Sequence, residues 1–169
     1  NGWAGLSVGA DEEFNMHDFK MVKNFEKAAS GGAFLSITGG VLTIDNVHFM
    51  NNSSVGGGAI ASGAASAEDG GQAADVAISN SKFTANSATS SGGAISNNAS
   101  LLKLSNVDFV GNMSGRDGGA VDNNNGGILE ISNGAVFKNN IATQNGGAIF
   151  AGDVSVIGDI LFEENEALN

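Results

Sequence analysis

The sequence predicts an all-β fold, a right-handed parallel β-helix of about six coils with three short strands per coil. Three observations lead there. Two tetrapeptide motifs alternate down the chain, period-two segments precede one of them, and the composition is that of a repeat protein, with 26 Gly, no Pro and no Cys in 169 residues. Self-similarity at a period of 20 to 50 residues signals a solenoid before any single element is assigned.

The first motif is Gly-Gly-Ala followed by an apolar residue: Gly31-Gly32-Ala33-Phe34, Gly57-Gly58-Ala59-Ile60, Gly92-Gly93-Ala94-Ile95, Gly118-Gly119-Ala120-Val121 and Gly146-Gly147-Ala148-Ile149. The second is Phe-x-x-Asn: Phe49 with Asn52, Phe83 with Asn86, Phe109 with Asn112, Phe137 with Asn140, and Phe162 with Asn165. From each Phe to the next Gly-Gly the distance is 8 or 9 residues, whereas the full period runs from 25 to 35. One arm of the repeat is therefore rigid and the other takes insertions. The longest excursion, residues 61–75, is Ala/Gly-rich, carries Glu68 and Asp69, and reads as an exposed loop.

Ahead of each Phe lies an alternating segment such as Leu42-Thr43-Ile44-Asp45-Asn46-Val47-His48-Phe49. Period two means a strand with one buried face. Asn46, Asn80, Asn106 and Asn133 recur at one place in it and mark a corner, since Asn tolerates the left-handed conformation that bends a chain. Residues 1–30 read as a degenerate first coil, with Phe14, Met16, Asp18, Phe19, Met21 and Asn24 laid on Leu42, Ile44, Asn46, Val47, Phe49 and Asn52. They also read as a helical cap, because Phe14, Met21, Val22, Phe25 and Ala29 fit an amphipathic helix.

Stacking such coils superposes equivalent positions. Phe49, Phe83, Phe109, Phe137 and Phe162 form one interior row and Ile60, Ile95, Val121 and Ile149 another. The five motif asparagines form a ladder in which each amide donates and accepts along the axis, satisfying groups that a lone buried amide would leave unpaired. The paired glycines suit a corner needing positive φ or a close backbone approach. A β-sandwich is the rival fold, but it has no reason to repeat the same apolar and Asn positions turn after turn.

Strict alternation of Gly-Gly-Ala-Ile with Phe-x-x-Asn resembles the chlamydial polymorphic membrane proteins, and the likeness covers nearly the whole chain. It implies a piece of the passenger domain of an outer-membrane autotransporter, displayed on the cell surface or released as a secreted passenger. It further implies adhesion to host cells through a protein receptor and a tendency to oligomerise, here through the coil ends. On this resemblance the glycines, Ala59, Ala94, Ala120 and Ala148, the apolar fourth residues and the Phe-x-x-Asn pairs carry the adhesive or structural role. Phe34 and Val121 depart from the pattern by replacing Ile, and Met21 by replacing Phe; all remain apolar. The translocating barrel and any export signal are expected outside this sequence, whose end at Asn169, two residues before the next Gly-Gly falls due, reads as a cut between coils.

Other chemistries are weighed against that reading. A formal charge of −11 opposes nucleic acid and anionic membrane surfaces. No apolar run approaches the roughly 20 residues that span a bilayer. No enzymatic activity and no cofactor are expected: polysaccharide-cleaving β-helices need clustered carboxylates with basic partners. Asp45 and Asp108 are read as equivalent outward positions interrupted by Ser79, and Arg116 is the only arginine. His17 and His48 fall on different repeat positions, so no metal site is expected from them. Asp117, Asp122 and Asp153 flank Gly-Gly corners without a calcium-binding nonapeptide array and read as solubilising charges. The motif side chains themselves are predicted to be interior, so a ligand would touch outward residues and loops, with a plain structural spacer as the other reading.

Overall fold

The computed structural model describes residues 5–25, 35–65 and 71–169. The first Gly-Gly motif, Gly31 to Phe34, and the acidic pair Glu68 and Asp69 lie outside the described residues. Among these residues the chain forms a parallel β-solenoid of three sheets with ten, six and five strands.

One coil shows how the repeat is built. Ile95–Asn98 and Leu101–Ser105 lie on a long face, Asp108–Val110 on the phenylalanine face and Met113–Ser114 on a short third face. In the next coil a single strand, Val121–Ser132, pairs with both halves of the long face, Ile95↔Val121 at one end and Leu101↔Ile128 at the other. The long face is thus one surface, interrupted by a turn in some coils. Insertions enter at that interruption. Ile60–Gly63 pairs with Ile95–Asn98, and Asp75–Ser79 pairs with Leu101–Ser105, so the excursion is narrower than residues 61–75. Its last residue, Ala74, is fully buried.

Corners follow from backbone conformation. Asn46, Asn80, Asn106 and Asn133 have φ of 52°, 49°, 54° and 54°, the left-handed region that Asn tolerates. A second left-handed corner, two residues after each Phe, is not visible in the sequence: Asn51, Ala85, Gly111, Asn139 and Glu164 share the conformation but no chemistry. At the Gly-Gly corner the two glycines serve different ends. Gly92 has φ +71°, whereas Gly93 lies at ordinary φ and is pressed against the next coil, where a Cβ would overlap the carbonyl oxygen of Gly119.

The core is two sets of stacked rows. The rings of Phe49, Phe83, Phe109, Phe137 and Phe162 stack at centroid distances of 4.7, 4.8, 4.8 and 5.0 Å, within 12° of parallel. Ile60, Ile95, Val121 and Ile149 are in register across four coils, as are Ile44, Ile78, Leu104 and Ile131. The spacing is the inter-strand distance of a parallel sheet, so each buried side chain meets its own copy above and below.

The opening segment forms strands Glu13–His17 and Lys20–Val22, with Phe14↔Leu42, Met16↔Ile44 and Met21↔Phe49 in register. A helix over this stretch would have buried Val22 and Phe25 on one stripe with Met21. Instead Met16 and Met21 are buried while Val22 and Phe25 are 41% and 63% exposed.

Candidate functional site

The motif residues build the interior. Phe49, Phe83, Phe109 and Phe137, with Asn52, Asn86, Asn112 and Asn140, are all fully buried. So are Ala59, Ala94, Ala120, Ile60, Ile95 and Val121, and Ala148 is nearly so. In the last coil Phe162 is 52% exposed, and Asn165 and Ile149 are partly buried.

Each motif asparagine lies just past the second left-handed corner, which points its amide along the solenoid axis. The Asn112 side chain donates to Asn140 Oδ1 at 2.9 Å and to the carbonyl of Phe83 at 2.9 Å, and the Asn112 backbone N–H donates to the same Oδ1 at 3.0 Å. Its own Oδ1 accepts two bonds, from the backbone and side chain of Asn86. The same pattern runs from Asn24 through Asn52 and Asn140 to Asn165. Asn112→Ala strands the two Asn86 donors and the Phe83 carbonyl, and unsatisfied buried groups cost about 1 to 3 kcal/mol each. The expected loss is roughly 3 kcal/mol in chemical denaturation; a neutral outcome would mean that the ladder is not a determinant of stability.

A second buried polar row went unread in the sequence. Ser62 Oγ donates to Asn97 Oδ1 at 2.6 Å, Asn97 Nδ2 to Asn123 Oδ1 at 2.5 Å, and Asn123 Nδ2 to the carbonyl of Gly127 at 2.7 Å. Its signal was available: Asn97 and Asn123 each stand two residues after the apolar residue of a Gly-Gly-Ala motif, an inward position.

The outward positions carry the accessible chemistry. Asp45 and Asp108 do not occupy equivalent places. Asp45 is in register with Ser79 on the long face and Asp108 with Lys82 and His48 on the phenylalanine face, so they form no carboxylate pair. Asp45 accepts bonds from Ser79 and Asn80, which hold its carboxyl below the usual range. His48 lies beside Lys20 and Lys82; burial first, and those cations next, depress its basicity. On the long face, Thr43, Ala77, Lys103, Glu130 and Ser155 line a shallow groove of about 280 Å³, with Lys103 paired to Asp75 at 3.1 Å.

Asp117 and Asp122 overturn the expectation of solvated corner charges, being 8% and 1% exposed. Burial, reinforced by the charge of Asp117, pushes the Asp122 carboxyl up to about 6. The folded carboxyl binds its proton more tightly than the unfolded one. Its stabilising contribution is full below about pH 4 and is lost as pH rises towards 6. Asp122→Asn removes that titration. In divalent-free buffer at pH 7.5 the variant is expected to exceed its parent by about 1 to 3 kcal/mol, and the two should converge near pH 4. Parallel stability profiles from pH 4 to 7.5 would contradict this.

Residues 134–152 match the Chlamydia polymorphic membrane protein (Chlamydia_PMP) repeat. That segment holds one complete motif pair, Phe137 with Asn140 and Gly146 to Ile149, and strand register places the earlier copies on it. Those residues carry the repeat of the chlamydial polymorphic membrane protein family. No curated protein and no solved structure matches the chain. Among the described residues no helix is long and apolar enough to cross a membrane. The polymorphic membrane protein repeat and the β-solenoid together fit an autotransporter passenger domain.

Proposed function

We propose that this chain is a stretch of surface-displayed passenger that attaches the bacterium to host cells through a protein receptor. One observation carries the reading: the family's hallmark side chains are buried in the solenoid, so the same fold can present a variable exterior on a constant core. Recognition is assigned to the outer long face around Lys103 and Glu130 and to the insertion between Gly63 and Asp75, where chain length varies without disturbing register. The motif residues act by holding these surfaces in place.

The test is adhesion of beads coated with the purified chain to cultured host cells. The parent is compared with a variant whose insertion is shortened to the two-residue turn seen at Ala99-Ser100, and circular dichroism confirms the solenoid in both. Saturable adhesion that the free chain competes away supports the proposal, and its loss in the shortened variant assigns it to the insertion. Folded protein that leaves the beads unbound would mean a spacer without a ligand of its own.

A further inference from the structure

One coil breaks the neutrality of the repeat's corner. Immediately before the Gly-Gly and directly after the following Ala and apolar residue, other coils place Ser91 and Ser96, or Asn145 and Phe150. This coil places Asp117 and Asp122. Val121 and Asn123 take the inward positions of its strand, so Asp122 and Asn124 share the outward side. Gly118 packs against the backbone of Val121 and Asp122 at this corner, and Asp122, though outward, is only 1% exposed.

The bonds made there leave oxygens over. Asn124 Nδ2 donates to Asp122 Oδ2 at 2.5 Å, but Asp122 Oδ1 and Asn124 Oδ1 are both buried without a hydrogen-bond partner. Asp117 accepts from Asn145 Nδ2 at 2.8 Å through Oδ1, while its Oδ2 stands 4.0 Å from the exposed Arg116 guanidinium, beyond hydrogen-bonding distance. Buried acceptors left in this state carry the full cost of desolvation, and the Asp117 and Asp122 carboxylates at this buried corner repel each other. A cation removes both costs at once.

We infer that Asp122, Asn124 and Asp117 form a binding site for a hard divalent cation of the calcium type, its remaining coordination completed by water. The donors are all oxygen, which suits calcium and magnesium rather than the metals that prefer imidazole or thiolate. Calcium accepts irregular oxygen sets more readily than magnesium, which demands near-octahedral geometry. Few charged ligands place the affinity in the range of roughly 10⁻⁴ to 10⁻³ M typical of extracellular modules. The cation ties the Gly-Gly corner to the long face at Asn124, so its binding reads out as stability.

The experiment titrates calcium chloride into the chelator-treated chain by calorimetry at pH 7.5 and follows melting with about 5 mM calcium chloride or magnesium chloride. Parent, Asp122→Asn and Asp117→Asn are compared. The parent should bind one calcium per chain and melt roughly 3 to 6 °C higher in calcium than without it, with a smaller shift in magnesium. Asp122→Asn, which removes the buried charge and should remain folded, should melt at one temperature with or without calcium, and Asp117→Asn should lose most of the shift. Absence of heat and shift in the parent, an equal shift in both salts, or a full shift retained in Asp122→Asn would each overturn the site.

Discussion

Gly93→Ala is expected to cost more than about 4 kcal/mol, enough to unfold the coil it sits in. The added methyl overlaps the carbonyl oxygen of Gly119 and comes within 2.7 Å of the backbone N and C of Met113. These are main-chain atoms of the neighbouring coil, held by the ladder bonds Gly93 N–H to Gly118 O and Met113 N–H to Asn86 O, so no side chain can swing aside. Gly111→Ala is the matched comparison. Gly111 has φ +65° with nothing within 4 Å of its Cβ position, so it bears only the left-handed conformational cost, about 1 to 2 kcal/mol. Chemical denaturation of the two variants separates steric approach from torsional preference. Equal losses would mean that the coils part easily at the Gly-Gly corner.

Phe109→Ala is expected to cost roughly 3 to 5 kcal/mol through the lost transfer energy and the cavity left behind. Its ring is fully buried between Phe83 and Phe137, both at 4.8 Å, so truncation also removes two stacked pairs. In a solenoid each coil touches only its neighbours, and a gap in the middle of the row weakens the junction between the two halves of the molecule. Lys103→Ala is expected to change stability by less than about 0.5 kcal/mol, since Lys103 and Asp75 are each 43% exposed and such pairs contribute little. Phe162→Ala, at 52% exposure, should fall between them. Similar melting shifts for Phe109→Ala and Lys103→Ala would refute the energetic weight given to the phenylalanine row.

Sequence alone determined the rows. Once the chain is periodic and the strands are parallel, equivalent residues must stack. Phe49 to Phe162, the motif asparagines and the corner asparagines Asn46, Asn80, Asn106 and Asn133 could therefore be placed from spacing. Even Met21 could be set on Phe49, because register overrides the helical pattern of the opening segment. What only the tertiary structure decided lies where position rather than residue type governs the outcome. Ala85 and Glu164 adopt the left-handed corner because the coil has to close there, against their own preference. Asp45 and Asp108 part company because they sit on opposite sides of a corner and so belong to different sheets. Asp117 and Asp122 read as solvated charges in a linear sequence. In the folded coil they are 8% and 1% exposed, a burial set by their place at the corner that residue type does not mark.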